Sequence, residues 1–247
     1  SKVLYCCSEC GTSSPVALGR CPGCGEWGTM TAREEEPRGS RAGTSAARPA
    51  RALTLSEVGG AELARQPSGS AEVDRVLGGG WVRGSALLIA GEPGIGKSTL
   101  LLQLAFSALG AGRETLYVAG EESPAQVRLR AERLGFDTGL QLTRDTAAPA
   151  IAAYLREKQP EFAVVDSIQT LVVEEGATPG TITQVRDSAA ILIEAAKNAG
   201  TTLVLVGHVT KQGSIAGPKG IEHMVDATLS LESAAGCRVL RALKNRF

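Results

Sequence analysis

Eight consecutive residues carry the most specific chemistry in this sequence. Gly91-Glu92-Pro93-Gly94-Ile95-Gly96-Lys97-Ser98 has the spacing G-x-x-x-x-G-K-[ST], the pattern of a loop that wraps phosphate. Its glycines let backbone N–H groups curl around an anion, and a helix beginning at Lys97 would add the partial positive charge of its N-terminus. Lys97 is expected to reach the β- and γ-phosphates and Ser98 to bind Mg²⁺, with Thr99 completing the nucleotide-binding set. A second metal-orienting carboxylate is expected from Asp166, which ends the apolar run Ala163-Val164-Val165. Glu121 and Glu122 end another apolar run, and one of them can orient the attacking water. Glu121 is the first choice for this base and Glu122 the reserve. The plainer alternative is that both carboxylates only favour the helix start that follows them. His208, closing a further apolar segment, is placed to contact the γ-phosphate.

A second constellation lies near the start of the chain. Cys7-Ser8-Glu9-Cys10-Gly11 and Cys21-Pro22-Gly23-Cys24-Gly25 are two C-x-x-C-G units. Each offers two thiolates from one tight turn, relieved by the following Gly, and four thiolates suit tetrahedral Zn²⁺. A module of about thirty residues has too little core to fold alone, so metal would supply much of its stability. A redox pair would explain one such unit but not two matching ones. Cys6 adjoins Cys7, yet only Cys7 has the two-residue spacing to Cys10. Cys237 stands alone on a predicted strand and reads as a core residue.

The elements that must position these groups alternate. Strands are expected at Ser85–Ala90, Thr115–Ala119, Phe162–Val165 and Thr202–Val206. Helices are expected from about Lys97 to Leu109, from Ser123-Pro124 onward, over Ala148–Lys158 and over Thr183–Asn198. Ser123 is an N-cap, Pro124 fits the first helical position, and Gln126 can close a capping box. Alternation of apolar strands with helices implies an α/β fold, a mostly parallel sheet covered on both faces. The chain ends differently, with Ala227–Glu232, a turn near Ala235-Gly236 and Arg238–Leu243 reading as an antiparallel hairpin added to that sheet.

Composition narrows the function. Of 247 residues, 26 are Lys or Arg and 26 are Asp or Glu, so the molecule is not a uniformly basic nucleic-acid coat. No apolar run approaches the ~18–20 residues that span a bilayer, and no apolar leader opens the chain, so a cytoplasmic protein without membrane contact is expected. The organisation reads as a zinc-binding module at 1–30, an Ala-, Arg-, Gly-, Ser- and Pro-rich linker at 31–55 and a nucleotide-binding domain at 56–247. The linker arginines Arg33, Arg38, Arg41, Arg48 and Arg51 could add non-specific affinity for nucleic acid. Glu34, Glu35 and Glu36 beside them favour a plain solvated linker.

Together these motifs resemble the bacterial RadA (Sms) family of DNA-repair ATPases, within the RecA-like superfamily. The resemblance rests on the four-Cys module, Asp74-Arg75-Val76-Leu77-Gly78-Gly79-Gly80, the phosphate loop, Gly120-Glu121-Glu122-Ser123 and Asp166-Ser167-Ile168-Gln169-Thr170. It continues through Gln184-Val185-Arg186, Gly207-His208-Val209-Thr210-Lys211, Ala216-Gly217-Pro218-Lys219 and Glu222-His223-Met224-Val225-Asp226, and ends in Lys244-Asn245-Arg246-Phe247, the start of the family's K-N-R-F-G signature. The Gly of that signature and the family's Lon-protease-like domain are not in this sequence, and Ser233–Gly236 is short beside the family's loop there.

The resemblance implies a RecA-like motor that uses ATP, Mg²⁺ and Zn²⁺. It implies a homo-hexameric ring acting on single-stranded and branched DNA beside a RecA-type recombinase, with branch migration or unwinding as its work. Loops Glu174–Ile182 and Thr210–Ile221 would line the DNA path, with Lys211 and Lys219 meeting phosphates without reading bases. Lys244 and Arg246 would act on a neighbour's nucleotide as fingers in trans. Two other classes share the phosphate loop. A small-molecule phosphotransferase would need an acceptor site and a lid, neither of which is legible. An ATP-gated scaffold recruiting recombination partners through the zinc module would bind ATP with little turnover.

Overall fold

Two matched turns and a short sheet account for the first of two structural units. The computed structural model describes residues 3–9, 11–34, 54, 64–136, 139–209, 215–216, 219–234 and 236–247. These fall into one unit of Ser1–Glu62 with Thr181–Thr183 and another of Leu63–Gly180 with Gln184–Phe247. In the first, β1 (Val3–Cys7) lies between β2 (Ser13–Ser14) and β3 (Met30–Glu34), both antiparallel to it. Residues 31–34, assigned from sequence to the linker, therefore continue a strand, with Thr31 opposite Cys6 and Glu34 opposite Val3.

In the second unit a short antiparallel pair, β4 (Arg65–Gln66) and β5 (Trp81–Val82), flanks α1 (Ala71–Leu77). Then follow β6 (Ala86–Gly91), α2 (Lys97–Gly110), β7 (Thr115–Ala119), α3 (Pro124–Arg133), β8 (Gln141–Thr143), α4 (Ala148–Lys158) and β9 (Phe162–Asp166). After one 3₁₀ turn, Ile168–Thr170, come α5 (Ile182–Ala199), β10 (Thr202–Val209), β11 (Ile215–Ala216), α6 (Lys219–Met224), β12 (Ala227–Ala234) and β13 (Cys237–Asn245). The main sheet runs β13-β12-β6-β10-β9-β7-β8, with β11 antiparallel to β10. Every neighbouring pair from β12 to β8 is parallel, and β13 turns back on β12, as the expected hairpin.

The strands are continuously apolar because both faces are covered. Ala86 and Leu88 of β6, Ala163 and Val165 of β9, and Leu203 and Leu205 of β10 pack into one core with α4 and α5. Their alternates, Leu87, Ile89, Phe162, Val164, Val204 and Val206, pack into a second core with α1, α2 and α3. Trp81 closes that second core against Phe162, with ring centroids 5.3 Å apart. The capping box at the start of α3 forms as its sequence indicates, with Ser123 Oγ accepting from Gln126 N and Gln126 accepting from Ser123 N. Short elements escape the periodicity reading. α1 has seven residues and is recognisable only by its ends, the Ser70 cap and Gly78 in the left-handed region at φ 79°.

One expectation is corrected here. Cys237 is on a strand but is exposed, not core. It opens β13, the outermost strand of the sheet order, where residues have no further strand beside them.

Candidate functional site

The phosphate loop joins β6 to α2 at the carboxyl edge of the sheet, where parallel α/β sheets bind ligands. Gly96 sits at the N-cap of α2 with φ 108°, a conformation that side chains rarely adopt. A Cβ on Gly91 would lie 2.5 Å from the carbonyl oxygen of Leu231 on β12, so this position also requires glycine. No side chain caps the N-terminus of α2 and no acidic residue lies in its first turn. Its first N–H groups are thus left to meet an anion. Lys97 is 4% exposed. Its Nζ donates to the carbonyls of Gly91 at 2.8 Å and Glu92 at 2.9 Å, which folds it over the loop. Burial lowers its pKa, while the nearby carboxylates of Asp166 and Glu121 act in the opposite direction.

Those two carboxylates come from adjacent strands. Ala119 of β7 is in register with Asp166 of β9, and Gly120 N donates to Asp166 O at 2.7 Å. Asp166 shares a face of β9 with Phe162 and Val164, the face against α2, so it turns toward the start of that helix. The peptide between Asp166 and Ser167 is cis. Ser167 Oγ donates to Glu121 Oε1, drawing Glu121 toward Asp166. Glu122, by contrast, is ion-paired with Arg130 of α3. The two glutamates that sequence leaves as alternatives therefore have different partners, and Glu121 is the one directed at Lys97 and Asp166.

Tyr117 belongs to this site and was not singled out from the sequence. Its hydroxyl donates to Asp166 Oδ2 at 2.8 Å, within the sheet interior. Burial, then the Asp166 charge, push its pKa well up, so the phenol remains a donor. One oxygen of the Asp166 carboxylate is thereby held in place. The available signal was a tyrosine among the apolar residues Leu116, Val118 and Ala119 of one buried strand, because a buried hydroxyl needs a polar partner.

The remaining expected residues are more dispersed. His208 lies on β10 in register with Gly91, at the start of the phosphate loop, although its side chain lies outside the described residues. Lys219 opens α6, also without a described side chain, and Lys211 lies outside the described residues with most of its loop. Linker positions Arg38, Arg41, Arg48 and Arg51 lie outside them as well. Lys244 and Arg246 sit at the opposite edge of the sheet from the phosphate loop, because β13 runs antiparallel and Lys244 pairs with Thr228 near the start of β12. Lys244 Nζ donates to the carbonyls of Glu222 at 2.6 Å and Val225 at 2.7 Å. Arg246 donates to the carbonyl of His223 and pairs with Asp226.

In the first unit the two C-x-x-C-G turns superimpose in hydrogen bonding. Gly11 N donates to Cys7 O and Gly25 N to Cys21 O, and both glycines have positive φ, 73° and 78°. The Sγ atoms of Cys7, Cys21 and Cys24 lie within 4.8 Å of one another. Cys7 and Cys24 are 3.6 Å apart at sulfur, close to the ~3.8 Å edge of a tetrahedron with Zn–S bonds of about 2.3 Å. A disulfide needs about 2.05 Å. Gly23 N donates to Cys21 Sγ at 3.3 Å, a contact suited to a thiolate. Cys10, the fourth expected ligand, lies outside the described residues. The three described sulfurs are spaced as ligands of one tetrahedral metal ion would be.

The phosphate-loop domain matches a family model described as AAA domain over residues 46–214. The chain belongs to that family. Residues 5–32 match a second model, described as Rubredoxin metal binding domain. Over its whole length the chain is similar to the DNA repair protein RadA of Pseudomonas aeruginosa (48% identical), of Escherichia coli (44%) and of Bacillus subtilis (43%), each over all of this chain. It spans 56% of the length of each of these relatives. Among the described residues no helix of this AAA-domain chain is long and apolar enough to cross a membrane.

Tyr117→Phe tests the coupling within the site. The ring keeps its packing while Asp166 loses a donor. The Mg²⁺ concentration for half-maximal nucleotide hydrolysis should rise several-fold, with nucleotide affinity measured without Mg²⁺ unchanged. An unchanged Mg²⁺ requirement would show that the phenol does not position Asp166.

Proposed function

We propose that this chain is the metal-binding and motor portion of a DNA-repair ATPase. It binds Mg-ATP in the phosphate loop and couples hydrolysis to work on single-stranded and branched DNA, in branch migration or unwinding of recombination intermediates. The observation that carries the reading is the convergence of Lys97, Asp166 and Glu121 at one sheet edge, with Glu122 drawn away. Similarity to RadA proteins supplies DNA repair as the setting. Glu121 accepts the proton of the attacking water, Lys97 compensates charge on the β- and γ-phosphates, and His208 reads the γ-phosphate. Ser98 and Asp166 would hold Mg²⁺, which would supply positive charge against the β- and γ-phosphates. Residues 91–99 form the nucleotide-binding set. The parts are a Zn²⁺ module at 1–30 with Cys7, Cys10, Cys21 and Cys24 as ligands, a linker at 31–55 and the ATPase at 56–247.

Lys211 and Lys219 contact DNA phosphates in this reading, from a segment that leaves the carboxyl end of β10. Lys244 and Arg246 act in trans in a homo-hexamer beside a RecA-type recombinase. Their place at the far sheet edge supports this assignment, since it keeps them from the chain's own phosphates. The second reading, an ATP-gated scaffold, is favoured by the apolar surface of the metal module. Trp27 is 74% exposed and Val16 60%.

ATPase assays with and without single-stranded DNA separate these roles. Lys97→Ala and Glu121→Gln should each lose turnover by about 10²-fold or more, Glu121→Gln with ATP binding retained. Glu122→Gln should keep most activity. Lys211→Ala with Lys219→Ala should keep basal turnover and lose DNA stimulation. The reverse ranking of the glutamates would exchange their roles, and ATP binding with negligible turnover in the parent chain would favour the scaffold.

Metal analysis should give about one zinc per chain, as expected of a single four-thiolate site. A metal-free protein with Cys7 in a disulfide would refute the site.

Mixing Lys244→Ala/Arg246→Ala subunits with Glu121→Gln subunits checks the trans role. Each alone should be inactive, whereas mixed rings join an intact loop to intact cations and should recover partial turnover. Co-assembly without recovery at any ratio would exclude it.

A further inference from the structure

Glu121 stands beyond the end of β7, outside the sheet that fixes the other groups of the site. It is the second residue after that strand and is exposed. A glutamate side chain has three rotatable bonds, so holding it in one orientation costs rotamer freedom. A hold comes from the neighbouring strand end. Ser167 is fully buried, and its Oγ donates to Glu121 Oε1 across 46 residues of sequence. Ala119 and Asp166 are in register, so Glu121 and Ser167 leave the sheet side by side.

Ser167 is itself built in. Its carbonyl accepts from Thr170 Oγ1 at 2.8 Å and from Thr170 N at 3.3 Å, which closes the 3₁₀ turn Ile168–Thr170. Ile168 and Leu171 are fully buried in the core that α4 and α5 cover. Thr170 lies against Gly120, where a Cβ would come 2.0 Å from its Oγ1. The residue before Glu121 and the residue that bonds its carboxylate thus both meet one turn. A buried donor on a turn packed this closely has little room to move.

The two strand ends exchange one hydroxyl each. Tyr117 of β7 donates to Asp166 at the end of β9, and Ser167 just beyond β9 donates to Glu121 just beyond β7. Hydrogen bonds to an ionised carboxylate are short and strong. A general base acts only where it stands within reach of the proton it takes, and a misplacement of about 1 Å can cost two orders of magnitude in rate.

We propose that Ser167 is the positioning residue for the water-activating glutamate, with Thr170 holding Ser167 in turn. The proposal rests on the assignment of Glu121 as the base above and extends it to a residue that touches neither nucleotide nor water. The two hydroxyls then have separate tasks. That of Tyr117 serves the carboxylate that would hold Mg²⁺, and that of Ser167 serves the carboxylate that takes the proton.

Steady-state ATPase kinetics of the 247-residue chain provide the test. At saturating Mg²⁺, Ser167→Ala should lower kcat roughly tenfold or more, with KM for ATP unchanged. In a Glu121→Gln background the same substitution should cost no further rate, because a residue that acts through another has nothing left to position. Thermal unfolding checks the fold. If Ser167→Ala melts early, Thr170→Val carries the same comparison, since it keeps the bulk over Gly120 and removes the donor to Ser167. An equal loss of rate in both backgrounds, or an unchanged kcat in the single variant, would overturn the proposal. A raised Mg²⁺ requirement with kcat unchanged would assign Ser167 to Asp166 and overturn it as well. Full turnover in Glu121→Gln alone would instead overturn the base assignment, and a parent chain without turnover would overturn the ATPase reading itself.

Discussion

A buried ammonium governs the carboxyl edge of this sheet. Lys97 is 4% exposed at the first residue of α2, where burial opposes its charge and the helix dipole adds to the cost. The surroundings offset that cost with two loop carbonyls and the nearby charges of Asp166 and Glu121. Each compensating group must then be held in position. The seam between β7 and β9 does this, through the Gly120–Asp166 backbone bond, the Tyr117 phenol and the Ser167–Glu121 contact. A phosphate chain arriving at the loop would give the ammonium stronger partners than carbonyls.

The same seam explains the tight tolerances around it. A Cβ on Gly120 would lie 2.0 Å from Thr170 Oγ1, and Thr170 in turn donates to the carbonyl of Ser167. The polar edge is therefore packed as closely as the core beneath it. Two apolar cores, one on each face, leave the strands little freedom to shift, so residues at their carboxyl ends keep a fixed register.

The opposite edge is organised around another partly shielded charge. Asp226 bonds to the backbone of Ala86 at the start of β6 through both its main chain and its carboxylate, and pairs with Lys197 and Arg246. The carbonyls at the end of α6 hold Lys244 and Arg246, and α6 follows the segment assigned to DNA contact. The chain's last cations are thus fastened to the element that continues from that segment.

Short-range pattern determined much of this protein without a structure. The phosphate loop, the paired C-x-x-C-G turns, the Ser123 capping box and the apolar strands are each set within a few residues, where spacing and periodicity act. Elements of two to seven residues, such as β8 and α1, were lost because they span too few periods to register. From sequence, Glu121 is ranked before Glu122 with no contact to separate them. Their separation depends on Ser167 and Arg130, which come from a strand end and a helix face that only folding brings near. Tyr117 meets Asp166 across 49 residues, Asp226 meets Ala86 across 140, and Arg238 reaches Gly96 from the last strand. Local pattern names the strands, but their order in the sheet decides which strand ends become neighbours. That order is set by which faces and edges can be buried together, a property of the whole packed chain.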